Sequence, residues 1–418
     1  MRILYIAFEN PAVDTIIGGM HDETLSGLPA FYYPFKLLLE QGHTVDMLLY
    51  SAKDYSLVES EHFKKENLVQ IKPAHGGLLG ALELPFRLGR ETKRLLKARH
   101  YDFVYGMSEG SHMGVRAAEK AGIPCALRQF GTQEMANVLE PMKGRLRRWL
   151  RALKDYTYIT LSMISRKIFI LATNDGSRAD ELYGILGVKK KKFDFYFWRS
   201  AVAIPPEQPL ADTDVTGGYP KGYDPMCLSL VNRITDVKRQ DRGVRILHEL
   251  HKRGYPFHMY FVGTGNHSGS AMYNTVVRLA GELSLSDYIH FEGGKPQAEC
   301  HEYARNSFAT LQVGEWNRVN ILYEEMGQGC LIVTNNNHSV DEYLEDGFNC
   351  VMYDDEGEAA ERIIELMRDP EKCSELRRNA HLTAKEKFLS LEKRFGMEVQ
   401  LVLDTAEGKD TSNYSKSI

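Results

Sequence analysis

The sequence predicts an α/β protein built of two Rossmann-like, doubly wound domains facing a cleft. Three observations predict it. At 418 residues the chain is long for one core and suits two domains of about 200 residues each. Short apolar, β-rich runs alternate with helical patterns from end to end, the mark of parallel sheets. Finally, "AIPPEQPLADTDVTGGYPKGYDP", Ala203 to Pro225, is rich in Pro, Gly and Asp and divides the chain as a linker would.

In the first half the predicted strands are Ile3–Phe8, Val45–Tyr50, Phe103–Tyr105, Pro124–Leu127 and Phe169–Thr173, with a helix over Ala30–Glu40 that Gly42-His43 ends. In the second half they are Cys227–Val231, His258–Val262, Ile289–Phe291, Phe308–Val313 and Leu331–Thr334, separated by helices such as Gly243–Arg253 and Tyr273–Leu283. The domains are therefore read as 1–204, a linker 205–225, 226–392, a C-terminal helix 393–405 expected to return to the first domain, and a polar tail 406–418 expected to be frayed. The carboxyl ends of both sheets are expected to face the cleft, where open α/β sheets bind ligands.

Composition narrows the function. Lysine and arginine total 52 against 56 acidic residues, a formal net charge of −4, which gives no general case for nucleic-acid binding. The six cysteines are scattered with no CxxC pair, so structural zinc is not expected and a reduced, cytoplasmic setting fits best. The opening "MRILYIAFENPAVD" reads as a first strand and not a signal peptide. No apolar stretch reaches the roughly 20 residues of a membrane span.

The most chemical loop is "LVNRITDVKRQDRGVRILHEL", Leu230 to Leu250, where Arg233 follows a strand and Lys238 precedes a helix. A planar guanidinium and a compact ammonium together suit a diphosphate; taken alone, the loop favours the plainer reading of two surface charges. Farther on come "YFVGTGN" (Tyr260–Asn266), "IHFEGGKP" (Ile289–Pro296) and "GEWNRVNILYEEMGQGC" (Gly314–Cys330).

In that order these motifs resemble retaining glycosyltransferases of the GT-B fold, specifically the glycogen-synthase-like family 4, also called glycosyl transferases group 1. The resemblance is strongest over residues 225–395 and weaker, but in order, over 1–200. It implies a metal-independent hexosyltransferase that takes sugar from a nucleotide-sugar without any cofactor. It places Arg233 and Lys238 on the donor diphosphate and Glu324 on the ribose hydroxyls, where a carboxylate accepts well. Asn320, Gly263 and Lys295 would lie against the donor, Asn320 at a helix start whose dipole favours phosphate. Glu325 is read as a solvated neighbour. The family sets its two glutamates eight positions apart; here Glu315 and Glu324 are nine apart, with Trp316 in the strict slot. Either the loop carries one extra residue and Glu315 still reaches the donor sugar, or that contact is lost.

The first half is expected to take the acceptor, a saccharide, a lipid-linked sugar or a small molecule. Ser26-Gly27 falls at the family's Gly-rich turn, and Gly18-Gly19 competes for the same role, each pair reading equally as a plain turn. Where the family carries a histidine near the donor sugar this chain has Phe130; His112 either stands in for it or is a surface residue, and Arg128 or Gln129 is a candidate acceptor contact. Ser200-Ala201 replaces the family's frequent Asn-Gly.

"MKGRLRRWLRALKD", Met142 to Asp155, sets Leu146, Trp149, Leu150 and Leu153 at helical spacing among six cations, and Phe86–Arg99 adds a second basic cluster. Such a helix either lies on an anionic membrane surface, making the protein peripheral on the inner face, or packs its apolar side on the core. A second functional reading is a catalytically impaired GT-B protein that binds a nucleotide or partner, motivated by Phe130 and the glutamate spacing. A nicotinamide dehydrogenase is disfavoured, because no GxGxxG follows the first strand.

Overall fold

The first sheet begins at β1 (Arg2–Phe8), whose residues Ile3 to Ala7 are all buried. A strand covered on both faces has to be apolar at every position, which is how parallel sheets differ from half-exposed ones. The two faces still separate with period two. Ile3, Tyr5 and Ala7 join one apolar cluster, Leu4 and Ile6 another. The computed structural model describes residues 1–8, 29–53, 64–107, 109–129, 168–174, 179–180, 194–202, 224–315, 320–337 and 342–417. Within these, two units separate: Met1–Ala201 with Leu391–Ile418, and Val202–Ser390.

The first unit continues with α1 (Pro29–Glu40), β2 (Thr44–Tyr50), β3 (Leu68–Ile71), α2 (Gly77–Ala98), β4 (Phe103–Met107), α3 (His112–Lys120), β5 (Cys125–Gln129), β6 (Ile168–Thr173) and β7 (Asp194–Trp198). The seven strands run parallel in the order β3-β2-β1-β4-β5-β6-β7. Helix α1 stops at Gly42, whose φ of 78° few other residues adopt, while the His43 N–H turns back to the Leu38 carbonyl at 3.1 Å. Phe31 and Phe35 of α1 pack on one face of the sheet, Leu88 and Leu95 of α2 with Val115 of α3 on the other.

The second unit comprises β8 (Asp224–Val231), α4 (Gln240–Lys252), β9 (His258–Val262), α5 (Ala271–Glu282), β10 (Ile289–Gly293), α6 (Gln297–Asn306), β11 (Ser307–Gln312), α7 (Asn320–Gly327), β12 (Ile332–Asn335), β13 (Val351–Tyr353), α8 (Glu356–Met367) and α9 (Pro370–Lys387). Its sheet is also parallel, in the order β10-β9-β8-β11-β12-β13. Helix starts follow the local sequence. Ser270, Asp355 and Asp369 cap α5, α8 and α9 by accepting from the amides of Tyr273, Glu358 and Lys372, each cap worth about 1 kcal/mol.

After α9 the chain rejoins the first unit as α10 (Leu391–Ala406), the return expected of the C-terminal helix. Phe395 stacks on Tyr33 of α1 at 5.4 Å. Beneath it lies a buried charge cluster. Glu398 is fully enclosed, with Arg394 Nη1 at 3.0 Å, Arg128 Nε at 3.6 Å and the Tyr105 hydroxyl donating to it. Arg394 also donates to the Arg199 carbonyl at 2.8 Å and lies over the Trp198 ring. Burial lowers Arg394 to about 10 against the pull of Glu398.

Residues after Ala406 correct the expected frayed tail. The Phe197 amide donates to the Lys416 carbonyl at 2.8 Å, the Trp198 indole to the Ser415 carbonyl at 2.7 Å, and Lys416 Nζ sits 3.9 Å from the Tyr196 ring centroid. β7 is an edge strand, and an open edge offers unpaired backbone groups that polar residues can satisfy.

Because Glu398 is the shared anion of two buried guanidiniums, Glu398→Ala is expected to leave both uncompensated and to cost about 3–5 kcal/mol. Urea unfolding checks this; a loss below about 1 kcal/mol would show the cluster to be incidental.

Candidate functional site

In the second unit the chain leaves β8 toward β9 on one side and returns at β11 on the other. The carboxyl ends of β8 and β11 are therefore the switch point, with no connection crossing above them. Asn232 and Arg233 leave β8 there; Val313, Gly314 and Glu315 leave β11. The Glu315 amide donates to the Val237 carbonyl at 3.0 Å and ties the two loops together. Asn232 donates through its side chain to Gln312 Oε1 at 3.0 Å.

The β9 exit presses against this loop. A Cβ at Gly263 would lie 2.1 Å from the Asn232 carbonyl oxygen, at a φ of 155°, so glycine alone allows the approach. Its role there is to let the Asn232–Arg233 backbone sit low; a donor contact is a separate matter.

Arg233 is exposed, and its guanidinium has no partner among the described residues, while Gln240 fixes its carbonyl at 2.9 Å. Lys238 closes the short turn Asp236–Lys238 and is half-buried. Both precede the start of α4, so two cations and a helix N-terminus share the mouth of the crevice. Between them and the helix comes Arg239, in left-handed backbone with φ 51° and ψ 45°. Its Nη1 lies 2.6 Å from Glu315 Oε1, and its Nε and Nη2 contact the two Asp241 oxygens at 3.0 and 3.1 Å.

Glu324 and Glu325 lie on α7, and both are buried. Glu324 Oε2 is 3.0 Å from His301 Nε2. Gln328 orients that ring: Arg305 donates to Gln328 Oε1 at 3.1 Å, so the amide nitrogen faces His301 Nδ1 at 3.2 Å. Nδ1 is then the acceptor and Nε2–H the donor to Glu324. Glu325, expected to be solvated, is instead fully enclosed. It accepts from Gln312 Nε2 at 2.8 Å, and burial pushes its carboxyl up to about 8. The reason is positional: Glu325 points at the sheet, where Thr310 and Gln312 share a face of β11, so the helix cannot offer it to water.

Asn320 begins α7 and is half-buried. Lys295 precedes α6, with Nζ 3.6 Å from Glu299. In the first unit His112 is buried at the start of α3, so it is not a surface histidine. Arg128, offered as an acceptor contact, is fully enclosed in the Glu398 cluster, and Gln129 beside it is buried too. Ser26, Gly27, Gly18, Gly19, Trp316, Phe130 and the basic segment 142–155 lie outside the described residues. Among the described residues no group of three His, Cys, Asp or Glu side chains is placed to hold a metal ion, and no helix is long and apolar enough to cross a membrane.

Residues 221–383 match the family model described as Glycosyl transferases group 1. The matched segment lies within the second unit. The whole chain is similar in fold to sucrose-phosphate synthase from Thermosynechococcus elongatus, with TM-score 0.65, 14% identity, and 98% of this chain and 99% of that one covered. It is also similar to a glycosyltransferase from Rickettsia africae, with TM-score 0.64, 12% identity and coverage of 98% and 99%. Anabaena Alr3699/HepE, solved with UDP and glucose, gives TM-score 0.63, 12% identity and coverage of 97% and 99%. Among curated proteins, none matches the sequence. The two doubly wound sheets are thus those of the GT-B class.

Within the matched segment, three residues escaped sequence reasoning. Arg239 stands directly after Lys238, but its left-handed backbone has no sequence signal. His301 and Gln312 sit in unremarkable helix and strand, and only the fold brings them to Glu324 and Glu325.

Glu325 gives a pH prediction. Its pKa is raised on folding from 4.5 to about 8, so between these values the unfolded chain has lost a proton the folded one keeps. Stability then falls with rising pH across that window, by at most about 1.4 kcal/mol per pH unit, and levels off above it. Glu325→Gln removes the titration, so its stability relative to wild type should climb from pH 5 to 8 in urea titrations. A pH-independent difference would count against the buried neutral acid.

Proposed function

We propose that the protein is a nucleotide-sugar-dependent glycosyltransferase of family 4, a retaining hexosyltransferase (EC 2.4) that needs no metal. The observation that carries this reading is the exposed guanidinium of Arg233, without a partner among the described residues, close in sequence to Lys238 and the α4 N-terminus, at the switch point of a segment that matches the Glycosyl transferases group 1 model. These groups would bind the donor diphosphate and stabilise the charge that develops as it leaves. Glu324, its tautomer partner His301 fixed by Gln328, would accept from the ribose hydroxyls. Asn320, Gly263 and Lys295 would line the donor, and Glu315 would meet its sugar. The UDP and UDP-glucose bound by Alr3699/HepE support a nucleoside-diphosphate donor, with UDP or GDP as the base to test.

The acceptor, a saccharide, a lipid-linked sugar or a small molecule, would be recognised by the first unit, with Ser26, Gly27 or Gly19 at its Gly-rich loop. A cytoplasmic enzyme peripheral on an anionic membrane fits the exposed face of α2. There Leu79 and Phe86 are 62% and 63% exposed and share a helical stripe with the exposed cations Arg90, Lys93 and Lys97. Residues 142–155 would add to that contact. A second reading, a binding module with impaired catalysis, draws on the Arg239–Glu315 ion pair, which already occupies the carboxylate meant for the sugar.

A donor panel decides between them. UDP- or GDP-sugars are expected to raise the melting temperature by mass action and to be turned over. Arg233→Ala should weaken nucleotide binding by about tenfold or more, the worth of one charge-assisted contact. Binding without turnover would favour the module, and transfer abolished by EDTA would remove the metal-free mechanism.

A further inference from the structure

Among the described residues, positive φ at a non-glycine position occurs at Arg239 and Ser284, and Arg239 stands at the mouth of the crevice. Its φ of 51° suits glycine or asparagine and strains a long side chain. Strain of this kind persists where the surrounding contacts over-determine the residue, and it gathers at functional sites. The contacts here are specific. Two nitrogens of the guanidinium bind both oxygens of Asp241, in the first turn of α4, and the third reaches Glu315 Oε1 at 2.6 Å.

The fork is thus anchored to the helix and aimed at one target. Among the described residues Glu315 is held at two points, its amide by the Val237 carbonyl and its carboxylate by Arg239. Its side chain remains 45% exposed, so one face of the carboxylate region is open to solvent at the end of β11. A direct phosphate role for Arg239 is disfavoured because its nitrogens already face carboxylates, and Asp241 foremost raises its pKa. Arg233, by contrast, has its guanidinium unengaged among the described residues.

We propose that Arg239 is a positioning residue that fixes the Glu315 carboxylate for the donor sugar, leaving the diphosphate to Arg233 and Lys238. This rests on the donor-site reading above. Its consequence is a division of labour: loss of the guanidinium weakens recognition of the sugar half of the donor and spares the nucleotide half. A merely structural role would affect both halves together or neither.

The test uses Arg239→Gly and Arg239→Asn, both compatible with left-handed backbone, so neither is expected to lower the melting temperature. Calorimetric titration compares UDP with UDP-glucose and UDP-N-acetylglucosamine, and GDP with GDP-mannose, using the pair that wild type binds. In both variants the Kd for the nucleotide-sugar should rise about tenfold, the worth of losing one charge-assisted anchor, while the Kd for the bare nucleotide stays within about twofold. Glu315→Gln should show the same split, and adding Arg239→Gly to it should cost nothing further, as expected of residues acting as one unit. Equal weakening of nucleotide and nucleotide-sugar, no change in either, or additive losses in the double variant would each overturn the proposal. A wild-type protein that binds none of these compounds would instead overturn the donor-site reading beneath it.

Discussion

The strand order of the second sheet is the constraint from which its site follows. Right-handed crossovers carry the chain outward from β8 through β9 to β10, then bring it back to β11 on the opposite flank. Each crossover covers the strand ends on its own side, and only the gap between β8 and β11 is left without one. Whatever residues end those two strands must face that gap. In this chain the loops that leave them carry Arg233 and Glu315, opposite in sign, and the bond from the Glu315 amide to the Val237 carbonyl ties the two loops together. Among the described residues the cation is left open and the anion is gripped, an arrangement that suits an incoming phosphate.

Two buried carboxyls show how the same desolvation leads to different outcomes. Glu398 enters the first unit facing two guanidiniums and a tyrosine hydroxyl, so the charge it brings is opposed on several sides. The contact fastens α10 across β4 and β5, whose residues Tyr105 and Arg128 supply the partners. Glu325 meets an amide and, at Glu324, another acid. Among the described residues no cation opposes it closely, and burial raises its pKa far enough that a proton replaces the missing partner. Removing a carboxyl from water is costly in either case; the neighbours decide whether a cation or a proton offsets it.

This contrast marks the boundary of what the sequence made legible. Strands buried on both faces had to be continuous apolar runs, and each predicted one falls within a residue or a few of an observed strand, as at His258–Val262. The short strands Leu68–Ile71, Asp194–Trp198 and Val351–Tyr353 were missed. All three lie at sheet edges and are short, three to five residues. Adjacent acids in "YEEMG" gave no sign of which points inward, because that depends on how α7 rotates against β11. The tail meets the sheet edge through its backbone carbonyls, which any residue carries, and its polarity alone reads as disorder.

The spacing of Glu315 and Glu324 illustrates a related limit. Counting residues between two motifs measures chain, whereas a ligand meets atoms. Glu324 is fixed by its place on α7 and by the Arg305–Gln328–His301 relay, and Glu315 by the β8–α4 loop through Val237 and Arg239. Both anchors are made by described residues outside 316–319. A one-residue change in spacing is compatible with an unchanged Glu315 so long as its two contacts outside the loop persist. The strained backbone at Arg239 is part of that arrangement: the guanidinium reaches both Asp241 and Glu315 from a conformation that an ordinary helix start would not provide.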